Sequence, residues 1–348
     1  MFENFFGNRR AAAALERMLA QERIPHAILL AGPEGVGKAT LARRFGARLL
    51  GGADRIERDD LSLPHNLAVM AERDKWPAER RNEDPLMFAT HPDFVTFAPD
   101  GPLRQITIAQ MRHLREQAQF KPLEGHRRVF LIDQMERANE PAANSLLKTL
   151  EEPPEHLVVI MTAQNPYDLL PTIRSRAIIL HLGPLSDEEM AQFVRARGLD
   201  HPERRIALAE GRPGAAVSLD LADYDRRREA MLGLLEAAAG QSGFAAWLER
   251  SEAAPGVRGD RFELSVKVLY GLLEDLLILK AGGGRLRNFD ARRELERLAE
   301  RVSFDWIRTA VAKTDELVEL LRRNIQKALA LDALVVELRE GARSVEAP

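Results

Sequence analysis

The sequence predicts an α/β domain with a mostly parallel sheet flanked by helices, followed by a small helical domain and a C-terminal all-α domain. Three observations predict this. Short apolar runs alternate with segments of helical periodicity across residues 1–182, the pattern of strands joined by right-handed helical crossovers. A glycine-rich stretch from Gly32 to Lys38 falls at a strand-to-helix junction. After Pro184 the strand pattern stops, and every later apolar repeat has helical spacing. A chain of 348 residues is too long for one compact core, so several domains are expected. The pattern divides them as 1–182, 183–221 and 222–348.

The elements follow in order. Ala11, Leu15, Met18 and Leu19 share one face of a helix over residues 9–21. Residues 27–31 form a short apolar strand that runs into the glycine-rich stretch, and Thr40, Leu41 and Phe45 lie on the helix after it. Between about 51 and 90 the apolar periodicity fades while charges and prolines accumulate, which predicts an insertion or a long surface excursion. His91-Pro92-Asp93 then leads into a strand at 94–97, and residues 106–119 read as a helix. The apolar run 129–132 ends in Asp133. A helix over 142–150 carries Ala143, Leu146, Leu147 and Leu150 on one face and is stopped by Pro153-Pro154. Strands at 157–162 and 178–182 complete the sheet. Ser186 and Glu189 have the spacing of a capping box, and Gly211 to Gly214 is a turn between helices. Beyond it, 266–279 and 317–338 are the clearest helical patterns.

Composition excludes several classes of function. Lys+Arg 50 against Asp+Glu 53 leaves a net charge of -3, so any contact with DNA must come from a local basic surface. The absence of cysteine excludes disulfides, thiol catalysis and thiolate zinc sites. The start MFENFFGNRR lacks the order of a signal peptide, and no stretch reaches the roughly 18 apolar residues of a membrane span. A cytoplasmic protein with no membrane partner is expected.

Two places carry chemistry on residue type alone. Gly32-Pro33-Glu34-Gly35-Val36-Gly37-Lys38 matches the first seven positions of a phosphate-cradling loop. There, glycines let backbone N–H groups close on phosphates and the lysine reaches the terminal ones. Gly32, Gly35, Gly37, Lys38, Ala39 and Thr40 are therefore the candidate nucleotide-binding residues. The other reading is a glycine turn retained for shape. The eighth position, normally a Ser or Thr that ligates Mg²⁺, is Ala39. Thr40 stands one residue late, about 100° around the helix. Asp133 has two roles open to it: the acid that orients Mg²⁺ in such folds, or a helix N-cap paired with Glu136. Gln134 follows it and cannot take a proton as a glutamate would.

The string Asn144-Ser145-Leu146-Leu147-Lys148-Thr149-Leu150-Glu151-Glu152-Pro153-Pro154 resembles, almost letter for letter, the hallmark of bacterial DNA polymerase III clamp-loader subunits. Thr172-Ile173-Arg174-Ser175-Arg176 resembles their Ser-Arg-Cys motif, with Ala177 in place of the cysteine. The resemblance covers residues 20–216 most strongly and implies an AAA+ P-loop fold. It gives Arg176 the role of an arginine finger acting in the ATP site of a neighbouring subunit. The implied partners are gamma/tau and delta subunits, the sliding clamp and primed DNA, and the implied last domain is an oligomerisation collar. Leu317, Leu320, Leu321, Leu329, Leu331 and Leu334 serve that collar or the intramolecular core.

Gly211-Arg212-Pro213-Gly214-Ala215 resembles the lid of delta-prime subunits, with Gly214 where motor subunits carry a sensor arginine. Ala39, Gln134 and Gly214 depart together from the motor pattern, implying a stator that hydrolyses ATP poorly or not at all. The alternative is an active motor subunit of the gamma/tau type. Thr162 lies near the family's sensor position. The zinc module of many relatives would fall between about 51 and 90, where His65 and the adjoining His91 are the only strong ligands, and zinc is not expected.

Overall fold

The computed structural model describes residues 2, 4–257, 261–321 and 326–343. Among the described residues there are six strands, β1 (Ala27–Ala31), β2 (Met87–His91), β3 (Phe94–Phe97), β4 (Arg128–Ile132), β5 (Leu157–Ala163) and β6 (Ile178–His181). They form one sheet in the order β2-β3-β4-β5-β1-β6. Every pairing is parallel except that of β2 with β3. β1, β3, β4 and β5 are buried along their whole length, which is why they read as continuous apolar runs rather than alternating ones.

Helices α1 (Arg9–Ala20), α2 (Lys38–Leu50), α3 (Ala53–Glu57), α4 (Pro64–Arg73), α5 (Ala78–Glu83) and α6 (Ile108–Ala118) precede β4 in the chain. α7 (Glu140–Glu151), α8 (Pro171–Arg174), α9 (Asp187–Ala196), α10 (Pro202–Ala209) and α11 (Pro213–Ser218) follow it. The remaining helices are α12 (Leu221–Ala238), α13 (Phe244–Ser251), α14 (Phe262–Lys280), α15 (Arg292–Arg301), α16 (Phe304–Leu321) and α17 (Lys327–Arg343). One face of the sheet packs Phe97, Phe130, Ile132 and Met161 against Met111 and Leu114 of α6 and Leu146 and Leu150 of α7. The other packs Ile28, Leu30, Leu131 and Ile160 against Leu15 of α1 and Leu41 and Phe45 of α2. α9 opens with both halves of the expected capping box, Ser186 and Glu189.

Two compact units result. The first is Met1–Leu199 with Glu210–Val217, and the second is Asp200–Ala209 with Ser218–Pro348. The segment 183–221 supplies α9 and most of α11 to the first unit and α10 to the second. Within the second unit, α10 is held by Arg204 to Asp225 and Asp290, and Trp247, Phe262, Leu272, Trp306 and Leu331 belong to an all-helical core. The pattern read as continuous over 317–338 is carried by α16 and α17, and residues 322–325 lie outside the described residues. Leu317, Leu331 and Leu334 are core, whereas Leu320 and Leu329 are exposed. The side chain of Leu321 lies outside the described residues.

The stretch 51–90, read from its fading periodicity as an insertion or a long surface excursion, has regular structure of its own. It holds α3, α4, α5 and most of β2, organised by buried charge more than by apolar periodicity. Arg43 of α2 pairs with Glu57 at 3.1 Å and with Asp60. Arg73 of α4 clamps Asp100 through two bonds of 2.8 and 3.1 Å. Asp59 accepts the backbone N–H and hydroxyl of Thr90. His91-Pro92-Asp93 has a local structural job: the Asp93 carboxylate accepts the N–H groups of Leu123 and Glu124 at 2.7 and 2.8 Å.

Candidate functional site: the phosphate loop and the arginine turn

The phosphate loop leaves β1 at Gly32 and enters α2 at Lys38. Gly32 extends the sheet, its N–H bonded to the Ala163 carbonyl at 3.0 Å. A Cβ there would lie 2.0 Å from the Leu182 carbonyl oxygen, so only glycine fits between the ends of β5 and β6. Gly35 and Gly37 take φ of 82° and 98°, the left-handed region that frees successive N–H groups to line one side of a loop. The Phe5 ring lies 3.3 Å from where a Gly37 Cβ would stand. The loop therefore joins a helix N-terminus with the geometry that receives a phosphate.

Lys38 is buried, and its Nζ donates to the Gly32 and Pro33 carbonyls at 2.7 and 2.9 Å. Burial holds its pKa below the usual lysine range, opposed by the charges of Asp133, Glu136 and Glu34. Asp133, at the end of β4, accepts from the Thr162 hydroxyl at 2.6 Å, and that oxygen in turn accepts the Gln134 N–H at 2.9 Å. Asp133 is therefore not an N-cap. The 3-10 turn Met135–Arg137 is entered from Gln134 at φ 57°, with no side-chain cap bond. Burial raises the Asp133 carboxyl pKa, against the Thr162 bond and the Lys38 charge. Thr162, on β5, thus touches the acid directly.

Sequence reasoning assigned Glu136 only a capping role. The 3-10 turn instead brings it within reach of the charges of Lys38 and Asp133, and burial raises its pKa. Its Oε1 accepts the Gln164 N–H at 3.3 Å, while Oε2 is buried without a hydrogen-bond partner among the described residues. No spacing rule would have found it, because its position depends on an irregular turn.

The loop and Lys38 fit a phosphate group. The donor set for Mg²⁺ is poorer, because Ala39 offers no hydroxyl. Among the described residues no cluster of three or more His, Cys, Asp or Glu has the geometry of a metal site. α11 closes against the loop: the Gly214 N–H donates to the Gly35 carbonyl at 2.8 Å. A Cβ at Gly214 would stand 3.0 Å from Gly35 Cα and 3.1 Å from its oxygen. Gly214 is thus in backbone contact with the loop. Arg212 turns to Glu210 at 2.7 Å.

Arg176 lies apart from these residues in the sequence of the fold, in the turn between α8 and β6. Its Nη1 donates to the Thr172 carbonyl at 3.0 Å and to Ser175 Oγ at 3.4 Å, and its Nη2 to Glu151 Oε1 at 2.9 Å. The Arg176 side chain remains one-third exposed, at 34%. Glu151 ends α7 and belongs to the hallmark string, so the two motifs meet through one ion pair. Their separation of 25 residues gave no hint of it.

Known proteins resemble this chain over different spans. DNA polymerase III subunit delta' of Bacillus subtilis is 25% identical over 340 residues, covering 95% of this chain and 96% of that protein. The delta' subunit of Pseudomonas aeruginosa is 33% identical over 199 residues, 56% of this chain and 55% of that protein. Subunit tau/gamma of Haemophilus influenzae is 27% identical over 195 residues, and there the match spans 56% of this chain but only 25% of the relative. A family model described as "DNA polymerase III, delta subunit" matches residues 7–186, more than half of the chain. The chain belongs to that DNA polymerase III delta-subunit family, the clamp-loader family its hallmark string and arginine turn resemble.

Proposed function

We propose that the chain is a delta-prime-type subunit of the DNA polymerase III clamp loader, assisting ATP-dependent loading of the sliding clamp onto primed DNA. In this reading it is a stator that hydrolyses ATP poorly or not at all and lends Arg176 to the ATP site of a neighbouring subunit. The observation that carries it is the contrast between two sites. Arg176 is ordered yet exposed, its permanently charged planar guanidinium suited to charge developing on a transferring phosphoryl group. The chain's own loop has Ala39 at the Mg²⁺ position, Gln134 after the strand acid, and Gly214 backbone-bonded to Gly35. The partners are gamma/tau and delta subunits, the clamp and primed DNA. Residues 1–182 serve as the AAA+ domain, 183–221 as the lid and 222–348 as the collar.

Gly32, Gly35, Gly37, Lys38, Ala39, Thr40 and Asp133 hold ATP if nucleotide is bound, with Lys38 at its terminal phosphates. The alternative, an active motor of the gamma/tau type, draws support from the intact glycines and Lys38. ATP turnover of the complex rebuilt with its motor and delta subunits separates the two. As a stator, Arg176→Ala lowers turnover substantially and Lys38→Ala leaves it near wild type. A motor gives the reverse, and turnover by the isolated chain abolished by Lys38→Ala would overturn the stator reading.

A further inference from the structure

We infer that Glu151 is a positioning residue for Arg176, holding the guanidinium in the orientation from which it reaches a neighbour's phosphates. This rests on the finger role proposed above. Three acceptors hold Arg176. The Thr172 carbonyl and Ser175 Oγ come from its own turn, at 3.0 and 3.4 Å, and the Glu151 carboxylate comes from a separate helix, at 2.9 Å. The framework presenting them is rigid, because Leu146 and Leu150 of α7 and Ile173 of α8 lie in one buried cluster.

At 34% and 49% exposure this ion pair contributes little to stability. Its effect is instead to remove the freedom of a long side chain before it meets its target. A guanidinium has five N–H donors, and these contacts occupy only part of them, so the remainder are free to meet an anion while the first hold. An arginine already fixed in direction loses less rotamer freedom on binding than a mobile one, and this difference is felt in the transition state where the charge it stabilises is greatest.

The test is ATP turnover by the complex reconstituted with its ATPase subunits, comparing Glu151→Gln, Glu152→Gln, Arg176→Ala and the Glu151→Gln/Arg176→Ala pair. Glu151→Gln should lower the Arg176-dependent part of kcat by about three- to ten-fold, with KM for ATP changed by less than about two-fold. Glu152→Gln, which removes the adjacent exposed charge, should behave as wild type. Glu151→Gln should add nothing in the Arg176→Ala background, whereas a merely structural role would lower turnover there too. If Arg176→Ala lowers turnover and Glu151→Gln does not, the positioning role is refuted and the finger stands. If Glu152→Gln matches Glu151→Gln, or the double variant falls below Arg176→Ala, Glu151 does not act through Arg176. No effect of Arg176→Ala refutes the finger and the positioning role together.

Discussion

On the stator reading proposed above, an arginine at 214 would restore the sensor residue of a motor subunit, and the structure predicts that it is obstructed at the first side-chain atom. The Gly214 N–H donates to Gly35 O at 2.8 Å. A Cβ would meet Gly35 Cα at 3.0 Å and the same oxygen at 3.1 Å. Both obstacles are backbone, so neither can swing aside as a flexible side chain would. Keeping the hydrogen bond forces an overpacked contact, and withdrawing α11 to relieve it gives up the bond. Either route costs about 1–3 kcal/mol. For a unit of this size each kcal/mol lowers Tm by about 2–4 °C.

Because the cost arises at Cβ, Gly214→Ala should already carry most of it, and Gly214→Arg should add no ATP turnover. Gly183→Ala is the control, since nothing lies within 4 Å of a Cβ there, and it should be neutral or slightly stabilising. Urea and thermal unfolding of the three variants measure the effect. Gly214→Ala as stable as wild type, or Gly214→Arg with new ATPase activity, would show that the contact between α11 and the loop does not constrain this position.

Two further outcomes follow from buried charge. Asp100→Ala removes the buried partner of Arg73, a pair with side-chain exposures of 6% and 2%, and leaves the guanidinium to Asp84, through its backbone carbonyl at 2.5 Å and its exposed carboxylate at 3.3 Å. It should destabilise the first unit by about 1–3 kcal/mol in urea unfolding, and adding Arg73→Met should recover part of this; a double variant no better than the single would count against it. His91 is buried, and its Nδ1 accepts the Asp93 N–H at 3.1 Å. Burial first, and then the Arg55 charge, lower its pKa, while Glu124, Asp93 and Asp59 oppose the shift. The unfolded chain therefore takes up the proton more readily. The contribution of His91 to stability is present above about pH 6.5 and is lost as pH falls through the lower folded value. Urea midpoints between pH 7 and 5 should fall more steeply for wild type than for His91→Gln, and parallel slopes would refute this account.

The sequence was most informative where a residue's neighbours along the chain decide its environment. Apolar runs marked β1, β3, β4 and β5 because parallel strands covered on both faces need no alternation. Ser186 and Glu189 marked the start of α9 because a capping box is a contact across three residues. The glycines of the phosphate loop announced a backbone that no side chain tolerates, and Gly32 proves to be hemmed in by Leu182. The hallmark string pointed to the family because it is contiguous in sequence, running from Asn144 in α7 to the Pro153-Pro154 pair that follows the helix.

Tertiary structure decided what depends on residues distant in the chain. α3 and α4 escaped the periodicity argument because Arg43 and Arg73 are buried by ion pairs and Asp59 by its bonds to Thr90, and a buried charge reads as a surface residue until its partner is known; α5 buries none of its residues. Asp133 left capping and coordination equally open in the sequence. Its bond to Thr162, 29 residues away on the adjacent strand, shows what the carboxylate touches. Glu136 entered the site through an irregular turn, and Glu151 met Arg176 only because α7 and α8 share a core. Hydrophobic pattern is a local property of the chain, whereas the pairing of charges is a property of the folded surface. The first was readable from residue order, and the second required the fold.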